Sequence, residues 1–283
     1  MIKRLSKVII PIMSSSQRVT DAKPAYSTET KEFKDPFGKV GDKYATFRPT
    51  YPQQLFDIIN DITKDTPQEL AIDVGCGNGQ ATVELGKLFK SVIGVDPSLS
   101  QISNAKKADN IQYKQSPAEH IDQPSNTADL VTVAQAVHWF DLPKFFEESK
   151  RILKPNGYLI IWCYGTATYL NEEGQKVHHD FYENILGDKY WLPNRRFVDR
   201  RYIDIIPPFE NTSRKSISFQ KTLSIVNMIG YYSTWSGYSK YLTENEDYLP
   251  TLKKRLMDAF KTDDENFEIT IEFPIDIVIS KMN

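Results

Sequence analysis

Cysteine is almost missing from this 283-residue sequence, which has only Cys76 and Cys163. Far apart and without metal-ligand spacing, the two exclude a cysteine zinc site and a disulfide framework, and they suit a reducing compartment. No apolar run approaches the roughly 20 residues needed to span a bilayer, and the longest early run, residues 8–13, contains Pro11. Neither sign of charge is in excess, with 35 basic and 37 acidic side chains. That balance gives no electrostatic reason to expect a nucleic-acid or membrane partner. Internal repeats and low-complexity tracts are lacking as well. What is present is an ordinary globular composition, 40% hydrophobic and 25% charged, with enough apolar material for a sizeable core.

Residues 1–35 are polar and aperiodic and read as a tail. Lys3, Arg4, Lys7 and Arg18, several serines, and no acid before Asp21 resemble a mitochondrial transit peptide. Pro11 interrupts the helix such a peptide would form. A cytoplasmic protein with a disordered tail, with Met13 as an alternative start, is therefore the first expectation and mitochondrial targeting the second.

From Tyr51 onward the pattern turns regular. Residues 52–63 read as an amphipathic helix, with Leu55, Ile58, Ile59 and Ile62 on one face. Short apolar runs at 70–74, 91–95, 111–114, 128–133 and 158–164 read as strands. Helices are expected at 80–89, 98–107 and 143–153, the last stopped by Lys154-Pro155-Asn156-Gly157. This alternation predicts a doubly wound, mostly parallel α/β sheet of Rossmann type, with ligands beyond the carboxyl ends of its strands. Residues 36–165 would form that binding domain. Residues 166–283 would form a helical cap and the strands completing it. In the second part, 216–224 and 267–279 read as strands and 225–241 and 249–261 as helices. Residues 166–210 resist assignment.

The strongest signal is Asp73-Val74-Gly75-Cys76-Gly77-Asn78-Gly79, where a strand runs into alternate glycines and then a helix. Glycine there permits a tight turn and close approach of a ligand to the backbone. A second strand ends at Asp96, whose carboxylate suits the hydroxyls of an adenosine ribose. Dinucleotide folds share this layout, but Gln80 stands where their third small residue belongs. Asp73 would add negative charge at the mouth of the site. That opposes a pyrophosphate and suits an ammonium and a sulfonium. A nicotinamide- or flavin-dependent oxidoreductase, a ligand-free glycine turn and a non-catalytic binding protein stand as the alternatives.

These residues resemble motif I of the class I S-adenosylmethionine-dependent methyltransferases, and Asp96 resembles the ribose acid of that family. Ser116-Pro117-Ala118-Glu119 is similar to its adenine-flanking motif, and Asp129-Leu130-Val131 through Gln135 to its fourth strand. Tyr44 to Pro52 resembles the N-terminal strap of trans-aconitate methyltransferase-like proteins. His138-Trp139-Phe140-Asp141 and Thr234-Trp235-Ser236-Gly237-Tyr238 are similar to further motifs of that group. The resemblance implies S-adenosylmethionine as cofactor, held by Tyr44, Asp73, Gly75, Cys76, Gly77, Gly79, Asp96, Pro97, Ala118, Glu119 and Gln135. It further implies a small-molecule acceptor.

Transfer of a methyl from sulfonium requires alignment and exclusion of water, without a metal. Arg48 would grip an acceptor carboxylate with its planar fork, under a lid of Tyr44, Phe47 and Tyr51. Otherwise it closes a surface salt bridge or touches the cofactor. His138 would act as a general base of near-neutral pKa, and Trp139 would wall the pocket or face the sulfonium. The plainer readings are a hydrogen-bonding histidine and a packed tryptophan. Trp235, Tyr238 and Tyr241 read as one helical face that is core first and acceptor lid second. His178 and His179 read as a solvated face, and Cys76 as a small residue in a tight turn rather than a nucleophile.

Overall fold

A computed structural model describes residues 47–283. The tail, its targeting reading and Tyr44 lie outside the described residues. Four parallel pairings build the centre. Strand β1 (Leu70–Val74) pairs with β2 (Ser91–Asp96) and with β4 (Ala128–Ala134); β2 pairs with β3 (Ile111–Gln115), and β4 with β5 (Leu153–Tyr164). The last strand, β8 (Glu268–Lys281), runs antiparallel to β5 and continues the sheet. Both β6 (Thr168–Tyr169) and β7 (Asn211–Ser224) pair with β8, so the order is β3-β2-β1-β4-β5-β8 with β6 and β7 attached to β8. The chain leaves β1 toward β2 and returns to the other side at β4. The loops after β1 and β4 therefore part and open a crevice at that switch point.

Alternation along the strands divides the core into two layers. Ala71, Leu130, Ile160 and Trp162 face one side with Leu55, Phe56 and Ile59 of α1 (Gln53–Thr63) and the aromatics of the C-terminal half. Ile72, Val131, Leu159 and Ile161 face the other with Phe145, Phe146 and Ile152 of α4 (Leu142–Ile152). Along the chain between α1 and α4 come α2 (Gln80–Leu85) and α3 (Leu99–Ser103), both shorter than their apolar patterns predict. Past Leu85 the chain continues in irregular turns, and Asn110 Nδ2 satisfies the carbonyls of Gly86 (2.8 Å) and Phe89 (3.1 Å) there. The helix does end before the predicted stop, at Ile152, but residues 154–157 form an irregularity within β5 rather than a free turn. Asn156 has φ 66° there, and the β4–β5 register shifts between Ala128 and Leu130.

The unassigned 166–210 stretch folds as α5 (Glu172–Asp180), a π-helical run Phe181–Leu186, α6 (Gly187–Tyr190) and α7 (Arg195–Asp199). The single helix expected at 225–241 is two, α8 (Ile225–Ser233) and α9 (Ser236–Tyr241), and α10 (Leu249–Phe260) follows. The break falls where the Thr234 hydroxyl donates to the Tyr231 carbonyl at 2.6 Å, competing with the helical ladder. Among the described residues no helix is long and apolar enough to cross a membrane.

One buried carboxylate ties together three adjacent strands, β1, β4 and β5. Asp129, 1% exposed, accepts the backbone N–H of Glu69 (2.8 Å) and Leu70 (3.0 Å) and pairs with Lys154 Nζ (2.8 Å). Asp129→Ala would leave two part-buried backbone donors and the Lys154 ammonium without this partner. It is expected to cost about 3 kcal/mol of stability, read as a lower urea midpoint at unchanged slope; a midpoint equal to the parent's would refute this role.

Candidate active site

The turn after β1 is held by its neighbour strand. The Val95 carbonyl accepts from both Gly75 N (2.8 Å) and Cys76 N (3.1 Å), and Gly79 N closes on the Cys76 carbonyl (3.0 Å). Gly75 and Gly79 have φ of 68° and 80°. A side chain at Gly75 would lie 2.7 Å from Ala136 Cβ, and one at Gly79 would run into the Tyr113 hydroxyl. Backbone shape and crowding thus both require glycine at these two positions. The contact with Ala136 also shows that the turn abuts the loop after β4. Gly77 differs, since a Cβ there would meet only Gln101 Oε1 at 3.7 Å. Its outer side is open.

The two acids of the motif do different things. Asp96 Oδ2 accepts from Gly77 N (2.8 Å) and its Oδ1 from Ser98 N (2.9 Å), which fixes the carboxylate at the rim of the turn. Asp73 is not at the mouth, as expected, but beneath the turn and fully buried. Its two oxygens accept from Thr82 Oγ1 (2.6 Å) of α2 and Thr132 Oγ1 (3.0 Å) of β4. Burial pushes its pKa up to about 6, against the two threonine hydrogen bonds. The Cys76 thiol is likewise raised by burial and then by Asp73 and Asp96, so it stays protonated and is no nucleophile.

Beside the turn, a small cleft open to solvent is lined by Arg48, Gln135, His138, Trp139, Leu192, Arg195 and Ser236. The sequence pointed to four of these seven. Arg48 extends Nη1 to the Tyr164 hydroxyl (3.0 Å) and Nη2 to the Thr234 carbonyl (3.1 Å), and lies over the Tyr231 ring. Trp139, 38% exposed, stacks obliquely on His138 and walls the opening. His138 Nδ1 shares a hydrogen bond with the Tyr202 hydroxyl (2.7 Å), and Asn194 Nδ2 donates to the His138 carbonyl (3.0 Å). Burial, and then Arg195, push the imidazole pKa down to about 3. The near-neutral base expected at His138 is therefore a neutral, weakly basic ring.

Other expected site residues also have partners within the protein. Both ends of the Gln135 amide are engaged with Tyr164, Oε1 accepting from its N–H (2.8 Å) and Nε2 donating to its carbonyl (3.2 Å). Gln135 thereby locks β4 to β5 at φ 57°. Glu119 Oε1 accepts from Asp141 N (2.8 Å) at the start of α4, and the Ala118 side chain packs in the core. The Pro97 carbonyl accepts from Gln115 Nε2 (2.9 Å). Trp235 and Tyr238 are core, Trp235 as the residue before α9 rather than mid-helix. Tyr51 packs edge-on to Trp162, 5.6 Å between centroids, and Phe47 fills the space over Gly230, so neither is lid-like. His178 corrects the solvated-face reading. It is buried, with Nδ1 2.8 Å from the Tyr232 hydroxyl, whereas His179 is exposed. Arg195, Leu192 and Ser236 were missed; the doublet Arg195-Arg196 was the only trace of the first.

A parallel sheet with a switch point, a glycine turn that leaves Gly77 open, and an acid fixed one strand over define a Rossmann-like cradle that fits an adenosyl group. A family model described as a methyltransferase domain matches residues 72–161. A Dictyostelium discoideum protein named as a methyltransferase is 51% identical over 257 residues, covering 90% of this chain and 97% of that one. A Saccharomyces cerevisiae protein named as an S-adenosylmethionine-dependent methyltransferase is 35% identical over 170 residues, covering 56% of this chain and 58% of that one. The solved structure of a type II methyltransferase from Anaeromyxobacter dehalogenans superposes with TM-score 0.75 at 28% identity, over 83% of this chain and 98% of that one. The chain belongs to the class I S-adenosylmethionine-dependent methyltransferases, with S-adenosylmethionine as cofactor. The oxidoreductase and non-catalytic alternatives are thereby replaced.

Asp73 gives a pH signature. Its folded pKa of about 6 exceeds the ordinary 3.8. The folded chain therefore keeps a proton that the unfolded chain releases, and the parent loses stability as pH rises through that window. Asp73→Asn removes this titration. Its urea midpoint relative to the parent is expected to rise from pH 4 to 6 and to level off above. A difference that stays constant with pH would contradict the assignment.

Proposed function

We propose that this methyltransferase O-methylates a carboxylate of a small molecule bound in the Arg48–His138–Arg195 cleft. One observation carries the reading. Among the described residues the cleft is lined by two arginines and a histidine of suppressed basicity, with no acidic side chain. A carboxylate is drawn by that charge and needs no deprotonation before it reacts. An alcohol or amine acceptor would need a base, and a ring of pKa about 3 is a poor one near neutral pH.

The cofactor would sit along the turn Gly75-Cys76-Gly77 and Gly79, with Asp96 beneath the ribose hydroxyls and Pro97, Ala118 and Glu119 toward the adenine. Bound there, S-adenosylmethionine supplies a methyl on sulfonium, and a neutral thioether remains when it departs. The protein's part is alignment, worth about 7–11 kcal/mol when geometry is near attack. Trp139 and Leu192 shield the cleft from water, and Tyr202 holds the His138 ring. The strap resemblance to trans-aconitate methyltransferase-like proteins supports a polycarboxylate among the acceptors.

The test is a screen for S-adenosylhomocysteine release over small acids, trans-aconitate included, beside amines, thiols and phenols of matched size. At least one acid is expected to turn over at a rate flat from about pH 6 to 9. Turnover confined to the other classes, or climbing about tenfold per pH unit, would sink the proposal. In calorimetry, Asp96→Ala is expected to weaken cofactor binding by about 1–3 kcal/mol; unchanged affinity would remove Asp96 from the site.

A further inference from the structure

Two cations line the acceptor cleft, and their hydrogen bonding differs. Both terminal nitrogens of Arg48 donate within the protein, to Tyr164 and to Thr234, and so tie the strap to β5 and to the α8–α9 break. Arg195 is held by its inner edge instead. Its Nε donates to the Tyr182 hydroxyl (3.0 Å) and to Asp199 Oδ1 (3.0 Å), and Tyr182 itself donates to Asp199 Oδ1 (2.7 Å). The guanidinium lies over the rings of Trp191 (5.0 Å) and Tyr182 (5.6 Å). Its two Nη groups make no hydrogen bond among the described residues, and Arg195 lines the cleft with His138, Trp139 and Ser236.

We propose that Arg195, rather than Arg48, takes a carboxylate of the acceptor end-on through Nη1 and Nη2. The inference rests on the carboxylate reading above and assigns its anchor. An end-on fork matches two carboxylate oxygens with two parallel N–H donors. Contact with two adjoining aromatic rings and the tether to Asp199 restrict the guanidinium in advance, so little rotamer freedom is lost on binding. Burial alone would weaken the charge, but Tyr182 and Asp199 outweigh it and hold the guanidinium pKa above its ordinary value. The π-helical run Phe181–Leu186 carries Tyr182 to this position, a local distortion of the kind often met at functional sites.

The experiment follows quenching of tryptophan fluorescence, to which Trp139 and Trp191 beside Arg195 contribute, in the full chain saturated with S-adenosylhomocysteine. The probes are acetate, succinate, octanoate and trans-aconitate. Acids that bind the parent are expected to bind Arg195→Gln about 10- to 100-fold more weakly, with S-adenosylhomocysteine affinity kept. Arg195→Lys, which retains charge but not the fork, is expected to lose about tenfold and decides the matter if Arg195→Gln fails to fold. Arg48→Gln is expected to lose less than either. Equal acid binding in parent and Arg195 variants, or a larger loss in Arg48→Gln, overturns the assignment and leaves the carboxylate reading standing. A parent that binds none of the four acids overturns both.

Discussion

A buried carboxylate under a glycine turn is the constraint on which this molecule depends. Asp73 reaches Thr82 on the helix after the turn and Thr132 on the neighbouring strand, all three side chains fully buried. It thus fixes how far the turn can lift from β4. Asp96 repeats the device one strand over by holding Gly77 and Ser98. A desolvated carboxylate is expensive unless its partners are in place, so these contacts specify one geometry of the turn. The cofactor side is rigid because its acids have protein partners before any ligand arrives, Asp73 on two threonine hydroxyls and Asp96 on two backbone N–H groups.

The proposed acceptor cleft is built differently, from the strap and the loop after β4 together with segments of the C-terminal half. Tyr164 at the end of β5 receives Gln135 on its backbone and Arg48 on its hydroxyl, so strap, β4 and β5 meet at one residue. The cap then adds Leu192, Arg195 and Ser236 from segments packed through a large aromatic cluster around Trp235. Changing those short segments would alter the cleft without disturbing the turn after β1, which suits a family sharing one cofactor and many acceptors.

What could be read from sequence follows the same division. The strands β1, β2 and β4 are short apolar runs with hydrogen bonding on both sides, and their bounds emerge to within a residue. The glycine turn and Asp96 are legible because backbone conformation itself demands them. Residues whose work depends on a distant partner are not. Nothing near Asp73 in sequence says that Thr132 will turn its charge inward, and nothing near His178 announces Tyr232. The 166–210 stretch hid its helices because they are short and joined by a π-helical run, which blurs the 3.6-residue period on which such reading relies.

The histidine and the arginine of the cleft are best understood together. Arg195 lies near enough to His138 to disfavour a second positive charge there, adding to the cost of burial. The guanidinium proposed to recruit an anion is thus also a reason that no effective base stands beside it. A cleft arranged this way has its cation but gives up proton abstraction, which is a loss only for acceptors that carry a proton on the reacting atom. For a carboxylate nothing is lost. The chemistry then follows from one placement: a cation fixed by Tyr182, Asp199 and Trp191, set against a ring kept neutral.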